Sequence, residues 1–344
     1  MITRHTARRT SAGYTLLEIL VICSILGILW AQLMPTLGSL RENARRQSCS
    51  NNLKQLGIAF HNYHETYKSL PPNGLLIWTR QSNNGYTWQN SSKGSVLVKL
   101  LPFMEQDALY RQLDFKMAGN TPAEQFEFQK NPITGKLYRS EIIPTFLCPS
   151  ADLDPYLDGT NPAQDPAISC YATSIGAQSM PSRQRWCSDY PGNTFGTGPA
   201  PYGDDARGYR LSGLFAHGFW AARFRDITDG TSQVIAMGEI IPSKASHHRN
   251  GWFHYNSLWT ATTAPINYPI VGLWERGFRP EPKNCNGWRN YQTALGFKSK
   301  HKGGSQFVFA DGSVHLLPET IDYLTYQRLG CRRDGEPLGE GFEP

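Results

Sequence analysis

The chain has 344 residues, 40% hydrophobic and 18% charged, with 32 Gly and 23 Pro, a composition that can bury a core and excludes both general disorder and a collagen-like fibre. Its 34 basic and 28 acidic residues give a net charge of +6 at pH 7, but they are interspersed and no downstream Lys/Arg block forms a stripe, so no nucleic-acid partner is expected. The Gly and Pro content implies many short elements joined by turns.

The basic excess is concentrated at the start. Met1 to Gly13 reads MITRHTARRTSAG, with Arg4, Arg8 and Arg9 and no acid. From Leu16 to Leu37 follow twenty-two residues, LLEILVICSILGILWAQLMPTL, whose one carboxylate is Glu18. About twenty helical residues at ~1.5 Å each cover a hydrocarbon core of about 30 Å, so this run is long enough to span a bilayer. Secretory apolar regions are shorter, about 7–15 residues, and precede their cleavage site. Here Ser11-Ala12-Gly13 comes before the apolar run, so a cut after Gly13 leaves the helix on the mature chain. An acid at mid-depth costs at least about 2.5 kcal/mol and needs a partner, yet no basic residue lies within the run. Arg41, Arg45, Arg46 and Lys54 beyond it nearly balance the leader arginines, so charge alone does not set the orientation.

Beyond the span, SLRENARRQSCSNNLKQLGIAFHNYHETYKSLPP keeps a helical period, with Leu53, Leu56, Phe60 and Tyr63 on one face and Pro71-Pro72 as the stop. A helix from Tyr14 to Lys68 is expected, with Pro35 and Gly57 as the places for a bend. Further on, Ser95 to Leu101 reads as strand or buried helix and Met104 to Leu113 as a short helix. Cys170 to Ile175, Gln233 to Met237, Gln306 to Ala310 and Ser313 to Leu317 read as extended. Asp311-Gly312, between two alternating runs, predicts a two-residue hairpin, and Asp229-Gly230 a second turn.

The N-terminal arrangement closely resembles type IV prepilins and the pseudopilins of type II secretion: a basic leader, Gly13, then Tyr14-Thr15-Leu16-Leu17-Glu18 and the apolar helix. The resemblance implies cleavage between Gly13 and Tyr14 by a prepilin peptidase, methylation of the new Tyr14 amine, and pairing of Glu18 with that amine on a neighbouring subunit. Pro35, the twenty-second residue after the cut, falls where pilin helices carry a proline. The same resemblance puts the N-terminus in the cytoplasm and the bulk outside, with inner-membrane lipid and other pilin or pseudopilin subunits as partners. Five strings occur in order: CSNNLKQLGIAFHNYHETYKSLPP at Cys49, SVLVKLLPFMEQDALYRQLDF at Ser95, FLCPS at Phe146, DITDGTSQVIAMGE at Asp226, and His301 spaced H-x9-DG from Asp311-Gly312. Together they resemble the large prepilin-like family abundant in planctomycetes and known as domain of unknown function 1559. The implied fold is α+β and pilin-like, a long N-terminal transmembrane α-helix packed on a C-terminal antiparallel β-rich domain. Its expected parts are a leader (1–13), a transmembrane half-helix (14–37), an amphipathic continuation (38–70) and an extracytoplasmic domain (71–344) with the hairpin at 301–317.

Of the seven cysteines, Cys23 lies in the apolar span. The other six would face an oxidising compartment, where many pairings are open. The expected pairs are Cys170–Cys187 as a loop clamp, Cys285–Cys331 around the terminal hairpin and Cys49–Cys148 tying helix to domain. There is no C-x-x-C, which argues against a zinc ribbon or a thioredoxin-like site. His61 and His64, and His247-His248 with His254, lack a spaced third ligand and are read as ordinary histidines. Asp311 is read as a turn residue and His301 as hydrogen-bonded to nearby backbone, in preference to a catalytic pair. Asp204-Asp205 is where Ca²⁺ would be sought, but the spaced D-x-D-x-D-G series is missing. Nine Trp and 16 Tyr raise sugar stacking, although packing accounts for them better. No nucleophile elbow, Walker loop or dinucleotide fingerprint occurs. The expectation is therefore a structural, non-enzymatic subunit without a cofactor; the alternative is a membrane-tethered enzyme or carbohydrate-binding protein with His301, Asp311 and loop acids near a cleft.

Overall fold

Apolar side chains at three- and four-residue steps organise the first element, α1 (Leu16–Tyr67), in the computed structural model of the chain. The structure describes residues 13–74, 77–80, 86–89, 93–117, 126–157, 159, 161–182, 187–194, 198, 200–203, 205, 207–272, 285–339 and 342, without the side chains of 29, 31–37, 39, 77–80 and 86–89. Two units are distinguished, Met1–Arg45 and Arg46–Pro344.

In the first unit, α1 is opened by a reciprocal cap. Thr15 N and Oγ1 donate to Glu18 Oε2 at 2.8 and 3.1 Å, and Glu18 N donates back to Thr15 Oγ1 at 3.3 Å. This is the T-x-x-E capping box, which satisfies amides that have no partner inside the helix. The expected leader falls outside the described residues up to residue 12, as does much of the side-chain content of the expected span, including Pro35. Among the described residues no helix is long and apolar enough to cross a membrane.

In the second unit, the same helix buries Cys49, Leu53, Leu56, Ala59 and Phe60 along one face. It ends at Tyr67, before the proline pair, because Lys68 turns left-handed (φ 58°) while its N–H still donates to His64 O at 2.7 Å. An antiparallel pair, β1 (Ile77–Arg80) and β2 (Tyr86–Gln89), follows. The Ser95 to Leu101 segment resolves as a buried helix, α2 (Val96–Leu100), with Ser95 Oγ accepting from Leu97 N at 3.1 Å. A four-residue helix, α3 (Asp107–Tyr110), comes next. The remaining elements are β3 (Tyr171–Gly176), β4 (Ile235–Glu239), β5 (Trp259–Ala261), α4 (Tyr291–Ala294), β6 (Gly304–Phe309), β7 (Val314–Pro318) and α5 (Tyr323–Leu329).

The main sheet has the order β5-β3-β4-β6-β7. β3 runs parallel to β5 and the other pairs are antiparallel, so the sheet is mixed, which corrects the purely antiparallel expectation. β5 escaped the sequence because Trp259-Thr260-Ala261 is only three residues and fully buried, leaving no alternation to read. β3, β4 and β6 are likewise buried throughout, whereas β7 at the edge is not.

The β6–β7 turn also differs from expectation. Phe309 N donates to Ser313 O and Gly312 N to Phe309 O, both at 2.9 Å, and Gly312 sits at φ 82°. That is a three-residue loop with a left-handed glycine at its end rather than a two-residue primed turn, which would need Asp311 at positive φ as well. Asp311 Oδ1 accepts from Ser313 N and Oγ at 2.8 and 2.7 Å. The turn abuts α1, where Lys54 Nζ donates to Gly312 O at 2.7 Å. A Cβ on Gly57 would lie 2.8 Å from Val308 Cγ2 and 3.3 Å from Gly312 Cα, so Gly57 is the residue that lets helix and hairpin touch. Gly57→Leu is expected to lower stability by about 1–3 kcal/mol through overpacking, read as a drop in thermal midpoint; an unchanged midpoint would show that the helix can move aside freely.

Two lysines of this unit turn their amines onto backbone carbonyls, Lys298 buried and Lys99 half-buried. Lys99 Nζ donates to the carbonyls of Asn73, Gly94 and Ser95 at 3.0–3.3 Å, and Lys298 Nζ to those of Thr293, Ala294 and Gly296 at 2.9–3.2 Å. Burial pushes both amines down to about 7. Above that pH the folded chain holds fewer lysine protons than the unfolded one, so stability rises with pH. The buried thiols Cys170 and Cys331, pushed up by burial to about 12, act in the opposite sense once unfolded thiols begin to ionise near pH ~8.5. The thermal midpoint should therefore climb between about pH 7 and about pH 8.5, and Lys298→Met should flatten part of that climb; equal slopes for the two chains would contradict the assignment.

Candidate functional site: a buried cysteine, glutamate and histidine cluster

Four separate segments deliver one side chain each to a single buried position. Cys49 comes from the inward face of α1 and Cys148 from the turn between two short 3-10 helices, Pro144–Phe146 and Pro149–Ala151. Glu239 is the last residue of β4, and His301 lies in the loop that leads into β6. Cys49 and Cys148 are joined as a disulfide, with Cα atoms 5.1 Å apart and a sequence separation of 99.

Glu239 is 2% exposed and the His301 side chain fully buried. His301 Nε2 lies 3.1 Å from Glu239 Oε1. A carboxylate oxygen only accepts, so this contact requires the proton on Nε2. Glu239 Oε2 accepts from Gln306 N at 2.8 Å and Ser305 Oγ at 3.5 Å. The sulfur of Cys148 is 3.6 Å from Glu239 Oε1 and 3.7 Å from His301 Nε2. The acid thus sits in the core with each oxygen engaged, which is the condition for a carboxylate to be buried at moderate cost.

The surroundings hold these four segments in register. Cys170 N donates to Phe146 O and Ile240 N to Cys170 O, both at 2.8 Å. Asn52 Nδ2 donates to Leu147 O at 2.8 Å, and Tyr171 OH to Cys49 O at 3.4 Å. Gln306 Nε2 reaches Arg46 O at 3.0 Å, while an Arg46 guanidinium nitrogen reaches Lys302 O at 3.1 Å. Within C-S-N-N-L-K, Cys49, Asn52, the buried Leu53 and Lys54 at the hairpin are thus α1's docking contacts on the rest of the unit.

Other expected positions are distributed differently. Cys187 pairs with Cys285, and Cys170 and Cys331 are buried free thiols. The expected Cys170–Cys187 and Cys285–Cys331 pairs are thus replaced: Cys170 leads straight into β3 beside Cys148, and Cys331 follows α5 with its thiol donating to Gln327 O at 3.3 Å. His301 answers to a carboxylate and not to nearby backbone through Nε2, and Asp311 remains with its own turn. His61 and His64 flank the Phe224 ring at 4.8 and 4.1 Å. His248 Nε2 meets Thr260 Oγ1 at 3.1 Å, whereas His254 Nε2 meets Glu127 at 3.3 Å. Asp205 closes its own loop by accepting from Arg207 N and Arg210 N at 3.0 and 2.8 Å, and Asp204 lies outside the described residues. Trp252 and Trp259 are core side chains.

Sequence reasoning overlooked Glu239 and the Thr15–Glu18 cap. The first carried a signal: an acid ending an apolar strand and followed by Ile240-Ile241 has to find a buried partner. The second was a plain T-x-x-E ahead of an apolar run.

The architecture is that of an α+β domain in which a five-stranded mixed sheet packs on the continuation of a long N-terminal helix. The family model described as a protein of unknown function (DUF1559) matches residues 38–324, and the chain belongs to that family. No curated protein and no solved structure matches it.

Breaking one side of a buried pair leaves the other uncompensated, at about 3–5 kcal/mol. His301→Ala and Glu239→Ala should each destabilise by about that much, and the double variant by less than their sum. Strictly additive losses in denaturant unfolding would mean that the contact carries no coupling energy.

Proposed function

We propose that the chain is a type IV pilin- or pseudopilin-like subunit, anchored in the inner membrane by the N-terminal part of α1 and displaying its sheet domain on the extracytoplasmic side. The observation that carries this reading is the state of the apolar run. The large apolar side chains described from Tyr14 to Trp30 are all exposed, between 46% and 83%, on every side of the helix. A helix that is apolar all round needs lipid or other subunits to cover it. The basic leader ahead of Gly13 and the retained position of the helix after a cut there support the prepilin route. Two disulfides in the second unit suit an oxidising compartment.

In this role the chain is a substrate of prepilin peptidase and does no chemistry of its own. Gly13 and Tyr14 form the cut, the Tyr14 amine is the methylated group, and Glu18 aligns neighbouring subunits. The capping box gives Glu18 a second duty, because its carboxylate already closes the start of its own helix. The tethered-enzyme alternative receives less support, since His301 and Asp311 answer to different partners and the Glu239–His301 pair is sealed from solvent.

Peptide mass spectrometry of the native protein tests the reading: the mature chain should begin at Tyr14, with or without one added methyl group. A chain that begins at Met1, or that lacks the whole apolar run, would overturn it. Glu18→Gln keeps an oxygen acceptor for the cap but removes the charge, so it separates the two duties. Crosslinking between protomers should be lost in Glu18→Gln as fully as in Glu18→Ala; retention in Gln alone would leave the cap as the residue's sole task.

A further inference from the structure

Three ligand-type atoms converge in the buried cluster. Glu239 Oε1, His301 Nε2 and Cys148 Sγ form a triangle with edges of 3.1, 3.6 and 3.7 Å. With Cys49 Sγ, all four donor atoms lie within 4.8 Å of one another. Tetrahedral zinc, with bonds of about 2.0–2.3 Å, places neighbouring ligand atoms about 3.3–3.8 Å apart. Two edges already have that length and the third needs a few tenths of an ångström. Two thiolates, an imidazole and a carboxylate form a borderline-soft donor set of the zinc type.

We propose that, once the Cys49–Cys148 bond is reduced, Cys49, Cys148, Glu239 and His301 form a closed site for a zinc-type divalent cation, so that disulfide and ion are alternative states of one position. A dithiol reductant supplies two electrons and two protons: the S–S bond breaks, two thiols form, and the reductant becomes a disulfide. The ion then displaces the two thiol protons to solvent and the Nε2 proton of His301 to Nδ1 of the same ring or to solvent, binds both sulfurs, and takes Glu239 Oε1 and the freed His301 Nε2 as its remaining ligands. The surrounding structure is prepared for this. Glu239 Oε2 stays with Gln306 N and Ser305 Oγ, the kind of outer contact that aims a metal-bound carboxylate. Burial of all four side chains makes the site closed, as structural zinc sites are. The ligands come from four distant segments, so no C-x-x-C or other local spacing announces them. The inference is independent of the pilin-like reading.

The test uses the full-length chain in detergent, oxidised or reduced with a phosphine, and titrated with Co²⁺ and then Zn²⁺. The reduced chain should take up a single Co²⁺ with sulfur-to-cobalt absorption that Zn²⁺ abolishes, and the oxidised chain should take up none. The signal should vanish in Cys49→Ser/Cys148→Ser and persist in Cys170→Ser and in Cys187→Ser/Cys285→Ser. Glu239→Gln should weaken binding by about tenfold or more. A readout on the unaltered reduced chain guards against variants that fail to fold: Zn²⁺ should slow alkylation of Cys49 and Cys148, but not of Cys187 and Cys285, by at least about tenfold. Equal uptake by the oxidised chain, a signal that survives loss of both cysteines, or no uptake by the reduced chain, whether it keeps its fold or loses it without recovery on adding Zn²⁺, would each overturn the proposal.

Discussion

The contact on which the second unit depends is the meeting of Glu239 with His301 against the Cys49–Cys148 bond. Burying a carboxylate is expensive unless its oxygens are fully engaged, and here Glu239 is met by an imidazole, a backbone amide and a hydroxyl. The imidazole comes from the loop before β6 and the amide and hydroxyl from adjacent residues of β6 itself, so the acid can be satisfied only when β4, that loop and β6 are in register. The disulfide adds α1 and the Cys148 turn to the same point. Closing a loop of this length removes on the order of 4–5 kcal/mol of freedom from the unfolded chain. A position that is costly when incomplete and covalently closed when complete specifies one arrangement of the core over near alternatives.

α1 meets two different demands along one run. From Leu16 to Trp30 its described large apolar side chains are exposed on all sides, while from Cys49 to Phe60 the apolar residues other than Ile58 are buried on one face and polar residues lie opposite. A water-facing helix needs only the second pattern. The first pattern is stable only where something outside the chain covers it. Between them lies Arg41-Glu42-Asn43-Ala44-Arg45-Arg46, the kind of charged stretch that separates an apolar environment from an aqueous one.

What the sequence made legible follows its periodicities. The amphipathic turn from Leu53 to Tyr63, the strands at Tyr171, Ile235, Gln306 and Val314, and the turn at Asp311-Gly312 all announce themselves by spacing or by turn chemistry. β5, α4 and α5 did not, being short and largely buried, where neither a period of two nor of about 3.6 has room to show. Cysteine pairing is a property of distance in space, and Cys187–Cys285, 98 residues apart, cannot be told from its competitors by spacing. The same holds for the cluster: His301 was visible as half of H-x9-DG, yet its partner is Glu239, whose only signal was an acid placed among apolar neighbours. The spacing drew attention to Asp311, which serves the turn, while the chemistry lies with a residue from another string.

The order of these contacts along α1 bears on how the second unit holds its part of the helix under load. On the reading proposed above, a pull arriving along α1 is borne within the second unit by residues from Arg46 onward. The first contacts met are polar and weak individually: Arg46 to Lys302 O and Gln306 to Arg46 O, each worth about 1 kcal/mol net. Cys49 follows within one turn, and its bond to Cys148 carries force covalently into the segment that Cys170 N ties to β3. Only past that bond come Leu53, Leu56 and Gly57, where the helix lies against the hairpin. A disulfide so near the entry of the helix shields these apolar contacts from being peeled apart one after another, since the helix cannot leave the sheet from that end without breaking a covalent bond. A filament subunit needs that protection; a freely soluble domain of the same fold has less use for it.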